Sequence, residues 1–251
     1  MMNIIFLHGL LGTAADWQKV IENLPHFRCI ALDLPFHGKA KEIKVVDFED
    51  TTQYLAEQIQ SAVKNEPYFL VGYSLGGRIA LHYALNHVLQ SNVKKSQLQA
   101  VILEGANLGL KTEEEKQARW QNDIYWAKRF INESPESVLK DWYQQPVFAH
   151  LTSAQRRQLI QKRKANCDAD IGKMLLATSL AKQADFRPKV RSNSLPFFYF
   201  CGERDQKFQN LAHEEQLSLT TIPNAGHNAH SENPIFFAKK LRNLILKIAQ
   251  D

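Results

Sequence analysis

An α/β fold, a mostly parallel sheet of about six or seven strands flanked by helices, follows from three features of this 251-residue chain. Six short apolar runs each end in turn residues. Amphipathic helical patterns alternate with them. One stretch, 108–189, breaks the alternation with helical patterns and no clear strand. Continuous apolar runs suit strands buried on both faces, and strand–helix–strand repetition builds a parallel sheet.

The first strand is "NIIFLHG", and "RCIALDLPFHG" repeats its form, closing on Asp33, Pro35 and Gly38. "DFEDTTQYLAEQIQSAV" sets Tyr54, Leu55, Ile59 and Val63 on one helical face, with Asp50, Thr51 and Thr52 as start signals. "YFLVGYS" runs directly into the helical "SLGGRIALHYALNHVL", and "LQAVILEG" is the fourth strand. Then come the helical patterns "SPESVLKDWY", "TSAQRRQLIQKRKA" and "IGKMLLATSLAKQ". No linker rich in Gly, Ser or Pro sets them off. They read as a helical lid, 108–189, inserted before the penultimate strand of one domain whose core is 1–107 and 190–251. "LPFFYFCGE" and "LSLTTIPNAGH" complete the strands, and "NPIFFAKKLRNLILKIA", with Pro234 near its start, is the closing helix.

Composition narrows the function classes. No run of eighteen apolar residues predicts a membrane span, and "MMNIIFLHG" lacks the basic region and cleavage site of a signal peptide. Cys29, Cys167 and Cys201 are too few and too scattered for a disulfide scaffold or zinc ribbon, which fits a cytoplasmic protein. Cys29 and Cys201, inside apolar runs, read as core packing. The net charge is +5, and 107–187 carries 14 Lys/Arg against 10 Asp/Glu. Acids interleave with these bases over several helices, which argues against nucleic acid and favours a small anionic ligand.

The chemistry centres on Gly72-Tyr73-Ser74-Leu75-Gly76. A glycine-flanked serine at a strand-to-helix turn exposes a nucleophile, with the helix dipole aimed at it. Its base should follow the last strand, where "NAGHNAH" offers His227, directly after the Ala-Gly turn, and His230 as the lesser choice. The acid should lie between them. "CGERD" offers Asp205 and Glu203, and Asp205 is preferred; Glu104 is better read as a local structural contact. Two backbone amides would form an oxyanion hole, Leu75 after the nucleophile and Leu10 after the first strand. His8 reads as a structural residue of that turn. Arg78 stands one helical turn past the serine, where an apolar residue would bury more easily.

With those residues the sequence resembles an α/β-hydrolase-fold protein along nearly its whole length. Five blocks in order, "GYSLGGRIAL", "DWYQQPVF", "MLLATSLAKQ", "CGERDQKF" and "AGHNAHSENP", resemble more narrowly the 2-succinyl-6-hydroxy-2,4-cyclohexadiene-1-carboxylate synthase family of menaquinone biosynthesis. "ILEGANLGL" departs from the proline-containing form common there, which bears on the local loop shape.

The resemblance implies a lyase acting on a small polycarboxylate, 2-succinyl-5-enolpyruvyl-6-hydroxy-3-cyclohexene-1-carboxylate. Ser74, activated by His227 and Asp205, would remove a ring proton, and pyruvate would leave. No metal or organic cofactor is implied, nor any nucleic-acid or membrane partner; a monomer or weak homo-oligomer is expected. Arg78, Arg119 and Arg163 would bind substrate carboxylates, and Tyr73 and Trp142 would line the ring pocket. Arg156, Arg157, Lys162 and Lys164 read as a solvated helix face. The competing reading is a serine carboxylesterase or thioesterase on a small anionic acyl substrate. A binding module without activity is the further alternative, weakened by the intact set of serine, acid and histidine.

Overall fold

The six apolar runs are the six strands of one sheet. The computed structural model describes residues 1–88 and 97–250. The strands are β1 Asn3–Leu7, β2 Arg28–Leu32, β3 Tyr68–Tyr73, β4 Leu98–Glu104, β5 Phe197–Gly202 and β6 Ser218–Ile222. They lie in the order β2-β1-β3-β4-β5-β6, and every pairing is parallel. This is the α/β-hydrolase architecture the chain was expected to have, with six strands among the described residues.

Alternation along the strands divides the core. Ile4, Phe6, Phe69 and Val71 face one side, where they pack with Trp17, Phe237, Leu241 and Ile245. Ile5, Leu7 and Leu70 face the other, with Leu55, Ile59, Ile79 and Leu81. A strand turns successive side chains to opposite faces, so each strand supplies both cores. The first side is covered by α1 (Gln18–Ile21) and the closing helix α10 (Pro234–Ile248), the second by α2 (Phe48–Val63) and α3 (Leu75–His82). α3 continues as a π-helix over Tyr83–Val88; Leu89, the last residue of the predicted helical pattern, lies outside the described residues.

One start signal moves. The N-cap of α2 is Asp47, whose Oδ1 accepts from Asp50 N at 2.9 Å, not the 50–52 cluster. Thr51 and Thr52 are already helical, and their hydroxyls bond back to the carbonyls of Asp47 and Glu49. Three candidate caps in a row carry no local information on which one caps; here Phe48, buried just inside the helix, sets the register.

Between β4 and β5 come α4 (Glu113–Asn132), α5 (Pro135–Trp142), α6 (Ser153–Arg163), α7 (Ala169–Ala177) and α8 (Arg187–Ser192). Trp126, Phe130, Val138, Leu139, Tyr143, Ile171 and Leu175 form their own apolar cluster, joined to the core at Leu11. The two ends of the insertion meet. Phe186 N–H donates to the Leu108 carbonyl at 2.8 Å, and Arg187 binds both the Gly109 carbonyl and Glu215 at 2.9 Å.

The chain leaves β1 for β2 on one side and returns to β3 on the other. The loops after β1 and β3 therefore open side by side at the carboxyl ends of the strands, where parallel α/β sheets bind ligands.

Candidate active site

Ser74 sits at that switch point. It is the residue between β3 and α3, with φ 50° and ψ −108°, a left-handed conformation rare for a residue with a side chain. The turn is so tight that a Cβ on Gly76 would lie 2.5 Å from the carbonyl oxygen of His8, which explains the second glycine of the motif.

His227 and Asp205 converge from the loops after β6 and β5. His227 Nδ1 donates to Asp205 Oδ2 at 2.7 Å, and both side chains are buried. That bond leaves Nε2 as the free ring nitrogen. Phe208 stacks on the imidazole at 5.0 Å, while Phe148 and Tyr73 close other sides at 5.9 and 5.3 Å. The other acids considered are engaged elsewhere. Glu203 accepts from Asn224 N, and Glu104 binds His230.

The loop after β1 is organised by two histidines. His8 Nε2 accepts from Leu34 N at 3.0 Å, so its proton is on Nδ1, which donates to the Gly9 carbonyl at 2.8 Å. Gly12 N–H donates to the same carbonyl at 3.0 Å. The Gly9–Leu10 peptide is planar, so with its C=O held on one side its N–H points to the other. Leu10 lines the cavity beside Ser74, as Leu75 does. His37 braces the next residue by accepting from Leu11 N at 3.2 Å. Burial pushes both histidines below their ordinary pKa, His37 to about 3 with His8 adding to the effect.

Two small cavities meet at Ser74. One, of about 50 Å³, is lined by Leu10, Tyr73, Ser74, Trp142, Arg163 and His227. The other, of about 110 Å³, is lined by Leu10, Ser74, Leu75, Arg78, Arg119, Trp142 and Lys207. All ten residues expected at the site are thereby placed: nine line one or both cavities, and Asp205 stands behind His227.

Arg78 is 7% exposed and donates from Nη1 to the Thr178 carbonyl at 2.7 Å, with its guanidinium over the Phe48 ring. Burial lowers its pKa to about 9, and the charge of Arg119 adds to that. Arg119 is bound through Nε to Asp123 at 2.7 Å, and Ser179 Oγ donates to the same carboxylate. Arg163 is already ion-paired, its Nη1 2.6 Å from Asp16 Oδ2. Lys162, expected on a solvated face, also reaches Asp16 at 2.7 Å, and Lys164 pairs with Glu136. Burial raises the Asp16 carboxyl, but Arg163 and Lys162 outweigh it and hold the group well below the carboxylate range.

Sequence reasoning missed Lys207. It stands two residues after Asp205, in the first turn of α9 (Gln206–Glu214), and lines the cavity with Arg78 and Arg119. Burial and then Arg119 lower its pKa. The block "CGERDQKF" held it, and its place beside the acid was the available signal. Among the described residues no group of three or more His, Cys, Asp or Glu is arranged to hold a metal ion.

Residues 3–234 match the α/β-hydrolase fold family. A Haemophilus influenzae protein is 70% identical over 250 residues, covering all of both chains, and is named, provisionally, a 2-succinyl-6-hydroxy-2,4-cyclohexadiene-1-carboxylate synthase. A Yersinia enterocolitica protein with that synthase name is 44% identical over 236 residues, 94% of this chain and 83% of its own. The solved structure of MenH from S. aureus superposes with a TM-score of 0.86 at 26% identity, over 99% of this chain and 94% of that one.

Proposed function

The chain belongs to the 2-succinyl-6-hydroxy-2,4-cyclohexadiene-1-carboxylate synthase family of the α/β-hydrolase fold, and from that premise we propose that it eliminates pyruvate from 2-succinyl-5-enolpyruvyl-6-hydroxy-3-cyclohexene-1-carboxylate in menaquinone biosynthesis. His227, held by Asp205, takes the proton of Ser74, and Ser74 Oγ removes a ring proton from the substrate. The electron pair forms a C2–C3 double bond, the ring double bond shifts from C3–C4 to C4–C5, the C–O bond from C5 to the enolpyruvyl group breaks, and the departing enolate gains a proton as pyruvate. The Leu10 and Leu75 amides stabilise charge that spreads onto the succinyl carbonyl. The chemistry needs no acyl-enzyme, metal or organic cofactor.

The observation that carries this reading is the convergence of Arg78, Arg119 and Lys207 on the cavity that holds Ser74. Three cations beside one serine suit a polycarboxylate, since guanidinium binds carboxylate through paired charged hydrogen bonds. An apolar ester would offer no acceptor to the donors these cations have left over from Asp123 and the Thr178 carbonyl. Residues 108–189 act as the lid, supplying Arg119, Trp142 and Arg163 to the site. Three unpaired cysteines suit a reducing cytoplasm. Among the described residues no helix is long and apolar enough to cross a membrane.

The test is pyruvate release from the named substrate. Ser74→Ala should lose about 10³-fold or more in kcat. Arg78→Ala should lose one charged contact, about ten- to hundredfold in kcat/KM. Near-normal pyruvate release by Ser74→Ala, or burst hydrolysis of p-nitrophenyl acetate without pyruvate release by the parent, would favour the esterase reading instead.

A further inference from the structure

Glu104 and His230 form a second buried acid–histidine pair beside the nucleophile. Glu104 closes β4 and is 0% exposed; His230 is 1% exposed. One carboxylate holds His230 twice, accepting its backbone N–H on Oε1 at 3.0 Å and its ring Nδ1–H on Oε2 at 2.8 Å. The backbone carbonyl of the same Glu104 accepts the amide of Ser74 at 2.8 Å. The next residue, Gly105, has φ 55° and packs against His227, where a Cβ would lie 2.9 Å from Cε1. The Glu104–Gly105 dipeptide therefore touches the nucleophile's amide, the histidine ring, and the turn three residues past that ring.

The His230 ring is fixed from other sides too. It stacks on Trp17 at 4.1 Å and lies 4.8 Å from the Tyr73 ring, itself 5.3 Å from the His227 ring. A carboxylate in such apolar surroundings is unfavourable unless paired, and packing alone would be served as well by two apolar side chains.

We propose that Glu104 and His230 are positioning residues that set the separation of Ser74 Oγ from the His227 ring. The inference rests on the reading of Ser74, His227 and Asp205 as the reactive unit. Proton transfer from serine to imidazole works over a hydrogen-bond distance, and a misplacement of about 1 Å costs about 10²-fold in rate. The two groups arrive on separate loops, after β3 and after β6. Glu104, on the strand beside β3, binds the Ser74 amide through its main chain and His230, three residues past His227, through its side chain.

Glu104→Gln tests this with almost no change of shape. Its amide oxygen still accepts from His230 N–H, but the charge that holds Nδ1–H is gone. Expected are a fall in kcat of about tenfold or more with KM within twofold of the parent, and a moved low-field Nδ1–H resonance of His227 in substrate-free, histidine-15N-labelled protein. His230→Asn, which keeps a donor at the Nδ1 position, should recover most of kcat, and His230→Leu should not. The proposal is overturned if Glu104→Gln keeps both the parent kcat and an unmoved His227 resonance, even with a lowered melting temperature. The resonance is read without substrate, so it tests the brace even if the parent releases no pyruvate.

Discussion

Asp16 shows what one buried carboxylate can hold. It lies just after the loop that holds Leu10 and takes Arg163 and Lys162 from α6. Asp16→Ala would leave the Arg163 guanidinium, 5% exposed, without its counter-charge. Breaking a buried pair from one side costs about 3–5 kcal/mol, and urea denaturation of the variant should show a loss of that order. Ser74, Asp205, His227 and Arg78 could be singled out as candidates because each follows a strand end in a short, distinctive block. Asp16 and Lys207 were not. Asp16 stands 147 residues from its arginine, and nothing local in "TAADW" reports a partner so distant. Lys207 is exposed, and it looks like any surface helix lysine until the fold sets the first turn of α9 at the cavity with Arg78 and Arg119. Charges paired locally are visible in sequence; charges paired through topology need the fold.

Elements were legible where periodicity was strong and ambiguous where several polar residues could each cap. All six strands and the helices of 108–189 that were expected from their patterns are present, because an apolar run or stripe has few alternatives. The start of α2 shifted to Asp47, since Asp47, Asp50, Thr51 and Thr52 offer similar capping chemistry. Asp47→Ala removes the acceptor of Asp50 N–H and should destabilise the protein by about 1 kcal/mol, whereas Thr51→Ala leaves the cap in place. Equilibrium unfolding of the two variants side by side decides between the caps. The longer element, α4, gains its position from charge as well as apolar packing: Arg119 binds Asp123 one turn on, and Asp123 binds Ser179 after α7. The carboxylate that holds a cavity-lining arginine thus also ties α4 to the turn after α7.

For the whole molecule, three buried histidines tie stability to pH. Burial lowers His8, His37 and His82; His8 adds to the effect at His37, and Arg78 then Lys189 add to it at His82, with His37 and His82 both falling to about 3. In the unfolded chain each would titrate near 6.5. Between about 6.5 and 3 the unfolded chain therefore binds more protons, so the protein loses stability as pH falls through that window and keeps it all above. His37 and His82 each contribute about 1.4 kcal/mol per pH unit there. His37→Gln should flatten the stability-versus-pH slope between pH 4 and 6 by one proton's worth, read from urea midpoints. The clip formed by Leu108, Phe186, Gly109, Arg187 and Glu215 has a consequence for the lineage of such folds. Because the insertion leaves and rejoins the core at one point, the sheet sees it as a closed loop. The sheet can then carry an insertion of different length and charge at that point while the residues after β3, β5 and β6 stay in register, so that a single cassette is traded without rebuilding the framework.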